Sequence, residues 1–209
     1  MEEATSENVM VGTAMARRSM YQFGKNLPRS AKGNVDTGLG KDVVYGLPAI
    51  LPPTVLIDEP ERAMELDGVR FVFHNVPNAE CPAELSFSIP DKKLYDGAEN
   101  LAQTMHNLLP IRGAKVRDAH AWAGFLNEAV NLYGDRSDTI ASSHCWPRFG
   151  QNEVKGWLSG QRDNYRYLHD QTVRMMNKGM TQGEIAAALE APPAIADQWF
   201  NKGYYGTYS

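Results

Sequence analysis

The stretch "LYDGAENLAQTMHNL", Leu94 to Leu108, decides how the rest of the chain is read. The run "KLYDG" is a short apolar strand that ends at Gly97 and Ala98. The run "NLAQTMHNLL" reads as a helix and carries His106. Glu99 stands at the junction. In layered α/β proteins the edge where strands stop is where ligands and metals bind, so a carboxylate there is a candidate ligand.

Upstream, "MELDGVRFVFHNV" is a hairpin signal. Asp67-Gly68 supplies the turn, and Val69, Phe71 and Phe73 alternate with Arg70, Val72 and His74. "AELSFSIPDKKLYDG" is a second hairpin, with Leu85, Phe87 and Ile89 on one face and Pro90-Asp91 at the bend. Further upstream, residues 2–23 read as a helix and "GKNLPRSAKGNVDTGLGKD" as a long loop. "YGLPAILPPTVLI" is broken by Pro48, Pro52 and Pro53 and suits a connecting or edge segment.

Downstream, "RDAHAWAGFLNEAVNLYG" is a helix closed by Gly134, and "DTIASSH" is a short buried strand that delivers His144. Strand, helix and strand alternate, which makes the first part α/β in character. After about Gly150 the pattern is all-helical. A long helix holds Tyr165, Leu168, Thr172 and Met175 at helical spacing. Two short helices follow, the first opened by a Thr181–Glu184 capping box and the second by Pro192-Pro193.

The bulk properties bound the function. An apolar fraction of 43% in 209 residues is ordinary for a soluble globular protein. The net charge of -4 argues against a nucleic-acid scaffold, and no apolar run approaches the roughly 20 residues that span a bilayer. Cys81 and Cys145 do not make a disulfide framework, which suits a reducing compartment. No signal peptide opens the sequence, and no feature of it settles the compartment. Both ends read as cuts through structured sequence.

Glu80 in "NAECPAEL", Glu99 in "DGAEN" and His144 in "SSHCWP" are three candidate ligands at strand or loop ends. Two oxygens and an imidazole suit zinc or a similar divalent ion. Each glutamate alone reads better as a solvated turn residue or a helix N-cap partner, and His144 reads equally well as a hydrogen-bonded histidine beside a buried Trp146. Arg112 beside such a site would suit a sulfate or phosphate through bidentate hydrogen bonds. Alone it reads as an ion-pair partner of Asp118 or Glu128. His106 and His169 read as structural histidines on helices, and Cys145 as a small buried residue.

"NKGMTQGEIAAALEAPPAIADQWF" has the outline of a helix-turn-helix. From residue 151 onward, however, six basic residues (Lys155, Arg162, Arg166, Arg174, Lys178, Lys202) face six acidic ones (Glu153, Asp163, Asp170, Glu184, Glu190, Asp197). A DNA reader needs net positive charge to displace counterions.

Taken together, "GNVDTGLGK", "ECPAEL", "AENLAQTMHNL", "IRGAKVRDAHAW", "SHCWPRFG", "YRYLHDQTVRMMNKGMT" and "NKGYYGT" resemble, in this order, the alkyl sulfatases of the metallo-β-lactamase superfamily. The resemblance implies an α+β fold. Residues 1–155 would be the second half of an αββα metallo-β-lactamase-like sandwich, and residues 156–209 the start of an all-helical dimerisation domain. It implies hydrolysis of alkyl sulfate esters with two zinc ions. Glu80, Glu99 and His144 match metal ligands and Arg112 matches an arginine near the sulfate. It implies a homodimer, and neither a nucleic-acid partner nor a membrane span.

The family's His-x-His-x-Asp-His signature is expected upstream of "MEEA" and is not in this sequence. Cys145 stands where a second histidine is common after "SH", and Gln103 where a histidine is usual after Glu99. A further histidine is expected past "GTYS". The resemblance therefore implies an internal fragment, inactive when isolated. The competing readings are a non-catalytic dimerisation module and, behind it, a helix-turn-helix DNA-binding protein.

Overall fold

The computed structural model describes residues 11–33, 35–36, 51–203 and 206–208. Expectations that fall on residues 2–10 of the first helix, on most of "GNVDTGLGK", on 45–50 of the proline-broken run and on Tyr204 and Tyr205 lie outside them. The chain forms two compact units. One is Met1–Leu56 with Leu109–Val116, and the other is Ile57–Leu108 with Arg117–Ser209.

The first unit contains helix α1, Gly12–Gln22. Within the same unit the backbone N–H of Arg112 donates to Gln22 Oε1 at 3.2 Å. Gly113, next to it, has φ +109°, a conformation that L side chains rarely adopt.

The second unit is a six-stranded sheet with helices against it. The strands lie in chain order: β1 Glu61–Leu66, β2 Val69–Asn75, β3 Leu85–Ile89, β4 Leu94–Asp96, β5 Thr139–Ser142 and β6 Cys145–Phe149. Neighbours are antiparallel except β4 and β5, which are parallel and connected through helix α2, Ala119–Tyr133. The first hairpin turns at Asp67 (φ 50°) and Gly68 (φ 76°), the paired positive φ of a tight I′-type turn. The second turns through a 3-10 segment at Pro90–Lys92, with Lys93 left-handed. Both hairpins match the pattern of the sequence.

The two faces of the sheet differ. Phe71, Phe73 and Phe87 cluster on one, with ring centroids 5.6–6.1 Å apart. On the other, His74, Ser86, Ser88, Tyr95 and Ile140 are buried. Tyr95 stacks on Tyr133 of α2 at 4.5 Å. Asp118 caps α2, accepting from the N–H groups of His120 and Ala121.

Helix α3, Gln151–Met176, runs across α2 and buries Val154, Trp157, Leu158, Gln161, Tyr165 and Leu168 along one stripe. The expected domain boundary at 155/156 falls inside this continuous helix. Trp122 of α2 stacks on Tyr165 of α3 at 4.9 Å. Helices α4, Gln182–Ala188, and α5, Pro193–Ala196, follow, and both sides of the Thr181–Glu184 capping box are formed. A Cβ at Gly160 would stand 2.3 Å from the Phe200 ring, so the C-terminal return onto α3 requires a glycine there. Among the described residues no helix is long and apolar enough to cross a membrane.

One expected element is absent. "NLAQTMHNLL" is not a helix: a single 3-10 turn at Ala98–Asn100 passes into irregular chain. Its backbone groups are claimed by distant side chains. Gln161 accepts from the N–H of Ala102 at 3.2 Å and donates back to the Ala102 carbonyl. Trp157 donates to the Ala102 carbonyl at 3.0 Å and Trp122 to that of Asn100 at 2.7 Å. Tyr165 Oη accepts from the N–H of His106 at 3.0 Å, and Met105 bridges to Gly203 in parallel. With these partners the segment satisfies its buried polar backbone without helical bonds.

Candidate metal centre

Three ligand atoms converge beside that strapped segment. Glu99 lies on the 3-10 turn after β4, His106 on the irregular chain beyond it, and His144 in the two-residue turn between β5 and β6. Glu99 Oε2 is 2.7 Å from His144 Nε2 and 3.4 Å from His106 Nε2. Glu99 is partly buried, His106 fully buried and His144 exposed.

His106 is held on every side. Its ring packs on Trp122 at 5.4 Å, and its Nδ1 lies 3.1 Å from the Asn107 carbonyl oxygen. A carbonyl only accepts, so Nδ1 carries the hydrogen. A neutral His106 then presents the lone pair of Nε2 to Glu99 Oε2. Two acceptors face each other, and a cation between them, either a proton or a metal ion, removes the conflict. A separation of 3.4 Å is also what two ligands about 2.0–2.2 Å from one tetrahedral ion would show.

Burial opposes the charged form of Glu99. Hydrogen bonds from His106 and His144, and their positive charge when protonated, outweigh it and bring Glu99 down to about 2. The same hydrogen bond to Glu99 raises His144.

A second cluster adjoins the first. Glu80, Cys81 and Glu84 also bring three ligand atoms within 4.8 Å of one another, as do Glu99, His106 and His144. Glu84 joins the two clusters. Its Oε1 accepts from the backbone N–H of Glu99 at 3.1 Å, and its Oε2 accepts from the Cys81 thiol at 3.3 Å. Burial pushes Glu84 up to about 7, and burial with the Glu84 charge pushes Cys81 up to about 12. Glu80 is engaged by the buried guanidinium of Arg117, which ion-pairs with its carboxylate. Arg117 also donates to the Glu80 carbonyl at 3.0 Å and to Asn107 Oδ1 at 3.1 Å.

Of the residues singled out in the sequence, Glu99 and His144 meet directly, while Glu80 stands in the neighbouring cluster on Arg117. Arg112 belongs to the other unit. Asp118 caps α2, and Glu128 lies 3.3 Å from His74. Three readings are corrected. His106 is on no helix, because the segment is strapped to α3, and it joins the centre. Trp146 is exposed rather than buried, because β6 is the sheet edge, and its carbonyl accepts from Gln103. Cys145 is only half-buried, for the same reason, and sits 2.7 Å from Ser142 Oγ.

Glu84 and Arg117 carry no sequence signal of their own. Each acts through a buried contact made across 15 or more positions of chain.

No family model matches the chain. It is 41% identical over 209 residues to an alkyl/aryl-sulfatase of Saccharomyces cerevisiae, covering 100% of this chain and 32% of that protein. It is 44% identical over 207 residues to a linear primary-alkylsulfatase of a Pseudomonas species, covering 99% of this chain and 31% of that protein. The solved structure of a stereoselective inverting sec-alkylsulfatase from Pseudomonas superimposes with a TM-score of 0.93 at 40% identity, over 100% of this chain and 33% of that one. The chain thus spans about a third of the length of the relatives it matches.

Proposed function

We propose that this chain, which is similar to alkyl sulfatases along its whole length, supplies part of the metal site and the sulfate-binding arginine of a zinc-dependent alkyl sulfatase. The observation that carries the reading is the meeting of Glu99 Oε2 with two imidazole nitrogens at 2.7 and 3.4 Å. The reaction would add water across the ester and release an alcohol and hydrogensulfate.

The donor set of one carboxylate and two imidazoles fits zinc. Glu99 and His144 would hold it, with His106 either ligating or orienting Glu99, and Glu80 would be drawn in from the adjoining cluster. Two zinc ions are the full complement in this reading. Zinc bound there supplies the Lewis acidity that polarises a sulfate oxygen.

The chain's own residues prepare that chemistry. Glu84 grips the backbone N–H of Glu99 and so fixes the turn that presents it. Trp122 packs on the buried His106 ring, and Tyr165 holds the His106 backbone N–H. The guanidinium of Arg112 would take two sulfate oxygens in its planar fork and stabilise the charge that develops on them. Its backbone is held by Gln22 and followed by a glycine in a conformation that larger residues avoid.

In this reading residues 1–155 are the second half of an αββα metallo-β-lactamase-like sandwich. Residues 156–209 begin a helical domain that pairs two copies into a homodimer. Most apolar residues of the tail are buried, but Val173, Met176 and Trp199 remain exposed and support a further packing partner.

A chimera tests the reading. The chain replaces its matching 207 residues in the linear primary-alkylsulfatase, and sulfate release from a linear alkyl sulfate is followed. The chimera is expected to turn over. Arg112→Lys should then lower kcat/KM by about tenfold to a thousandfold with zinc content and melting temperature unchanged. A folded, zinc-loaded chimera without activity would overturn the assignment. So would an Arg112→Lys variant that loses stability but keeps its turnover.

A further inference from the structure

We propose that His120 and His169 form a second metal site, on the outer surface of the α2–α3 pair, for a late first-row divalent ion such as Zn2+, Ni2+ or Cu2+. The two residues come from different helices: His120 from the first turn of α2 and His169 from the C-terminal half of α3. Their ring centroids are 4.9 Å apart with the planes at 52°. Two imidazoles bound at about 2.0–2.1 Å to one tetrahedral ion have centroids roughly 5 Å apart, so the observed spacing needs little adjustment.

His169 is already oriented as a ligand. Its Nδ1 lies 2.9 Å from Asp170 Oδ1, a pairing that puts the hydrogen on Nδ1 and leaves Nε2 as the donor to a metal. Asp170 is fixed in turn, because its Oδ2 accepts from Arg166 Nε at 2.7 Å. The His120 ring has no hydrogen-bond partner among the described residues, and His120 is exposed. The site shares no residue with the Glu99 centre and does not depend on the sulfatase reading. Its ion would be completed by water and would tie the start of α2 to α3. Imidazole pairs of this kind favour Cu2+, Ni2+ and Zn2+ over Mg2+ or Ca2+.

Nickel chloride is the probe, and His144→Ala is the parent, so that the Glu99 centre is weakened. Calorimetry should find one Ni2+ per chain at this site, with the melting temperature raised by the ion. Either His120→Gln or His169→Gln should weaken binding at least tenfold and abolish the thermal shift, with the fold verified by circular dichroism. Asp170→Asn should weaken it by a smaller factor. In the unmutated chain, substoichiometric Ni2+ should broaden the ring resonances of His120 and His169, a readout that needs no variant to fold. Undiminished affinity in either histidine variant, or broadening confined to His106 and His144, would overturn the proposal.

Discussion

Two clusters of three ligand-type side chains lie against each other in this chain, and they treat charge in opposite ways. In the first, Glu99 faces two imidazoles and is held down at about 2, a carboxylate kept ionised for a cation. In the second, Glu84 and Cys81 are pushed up to about 7 and about 12, and Glu80 is engaged by a buried arginine. The same residue types are therefore poised as a ligand set in one place and as a support in the other. The difference comes from partners and burial rather than composition. The link is Glu84, whose carboxylate holds the N–H of Glu99 and so ties the support to the ligand.

The contrast is broken hardest at Arg117. Its guanidinium and the Glu80 carboxylate are both largely withdrawn from water. Arg117→Met leaves a buried carboxylate without its counter-charge and should cost about 3–5 kcal/mol by chemical denaturation. Adding Glu80→Gln should recover part of that loss. No recovery in the double variant would show that Arg117 acts through packing instead.

Glu84 sharpens the contrast through pH. Its folded value, about 7, is raised above the ordinary carboxylate value of 4.5. Between these two values the folded state binds more protons than the unfolded state. Stability from this group therefore falls as pH rises from about 4.5 to about 7, by on the order of 3 kcal/mol. Glu84→Gln should remove that slope, which denaturation midpoints measured across the window would reveal. Glu99 has the opposite sign. Its contribution is present above about pH 4.5 and is lost as pH falls towards 2.

The smallest effect is expected at His144. It sits exposed in a turn, and His144→Ala should change metal-free stability by less than about 1 kcal/mol. A large loss there would make His144 structural and remove it from the list of ligands.

The legible parts of the sequence were those governed by local rules. Asp67-Gly68 with alternating phenylalanines and the Thr181–Glu184 box lie where their chemistry puts them, and Gly134 closes α2 at the expected position but in a right-handed conformation. The segment after Glu99 was misread because Leu101, Met105 and Leu108 repeat at helical spacing, while the bonds that decide its course come from Trp157, Gln161 and Tyr165. Those side chains are 55 to 59 positions away, and no local pattern announces them. The same distance hid the part His106 plays. Glu99 and His144 were legible as ligand types at strand ends. Glu84 and Arg117 were not, since a buried carboxylate and its buried supports become visible only once the turn between β2 and β3 is folded against Glu99.

The most direct test of the central claim is zinc binding by the chain and by its Glu99→Gln variant, measured by competition with a chromophoric chelator at pH 7. Weak zinc binding is expected in the parent, since only part of a ligand set for two ions converges here. A further loss of at least about tenfold is expected in Glu99→Gln, which keeps the shape and one hydrogen-bond acceptor but removes the charge between the two imidazoles. Equal affinity in parent and variant, with both folded, would contradict the account and remove Glu99 from the metal centre.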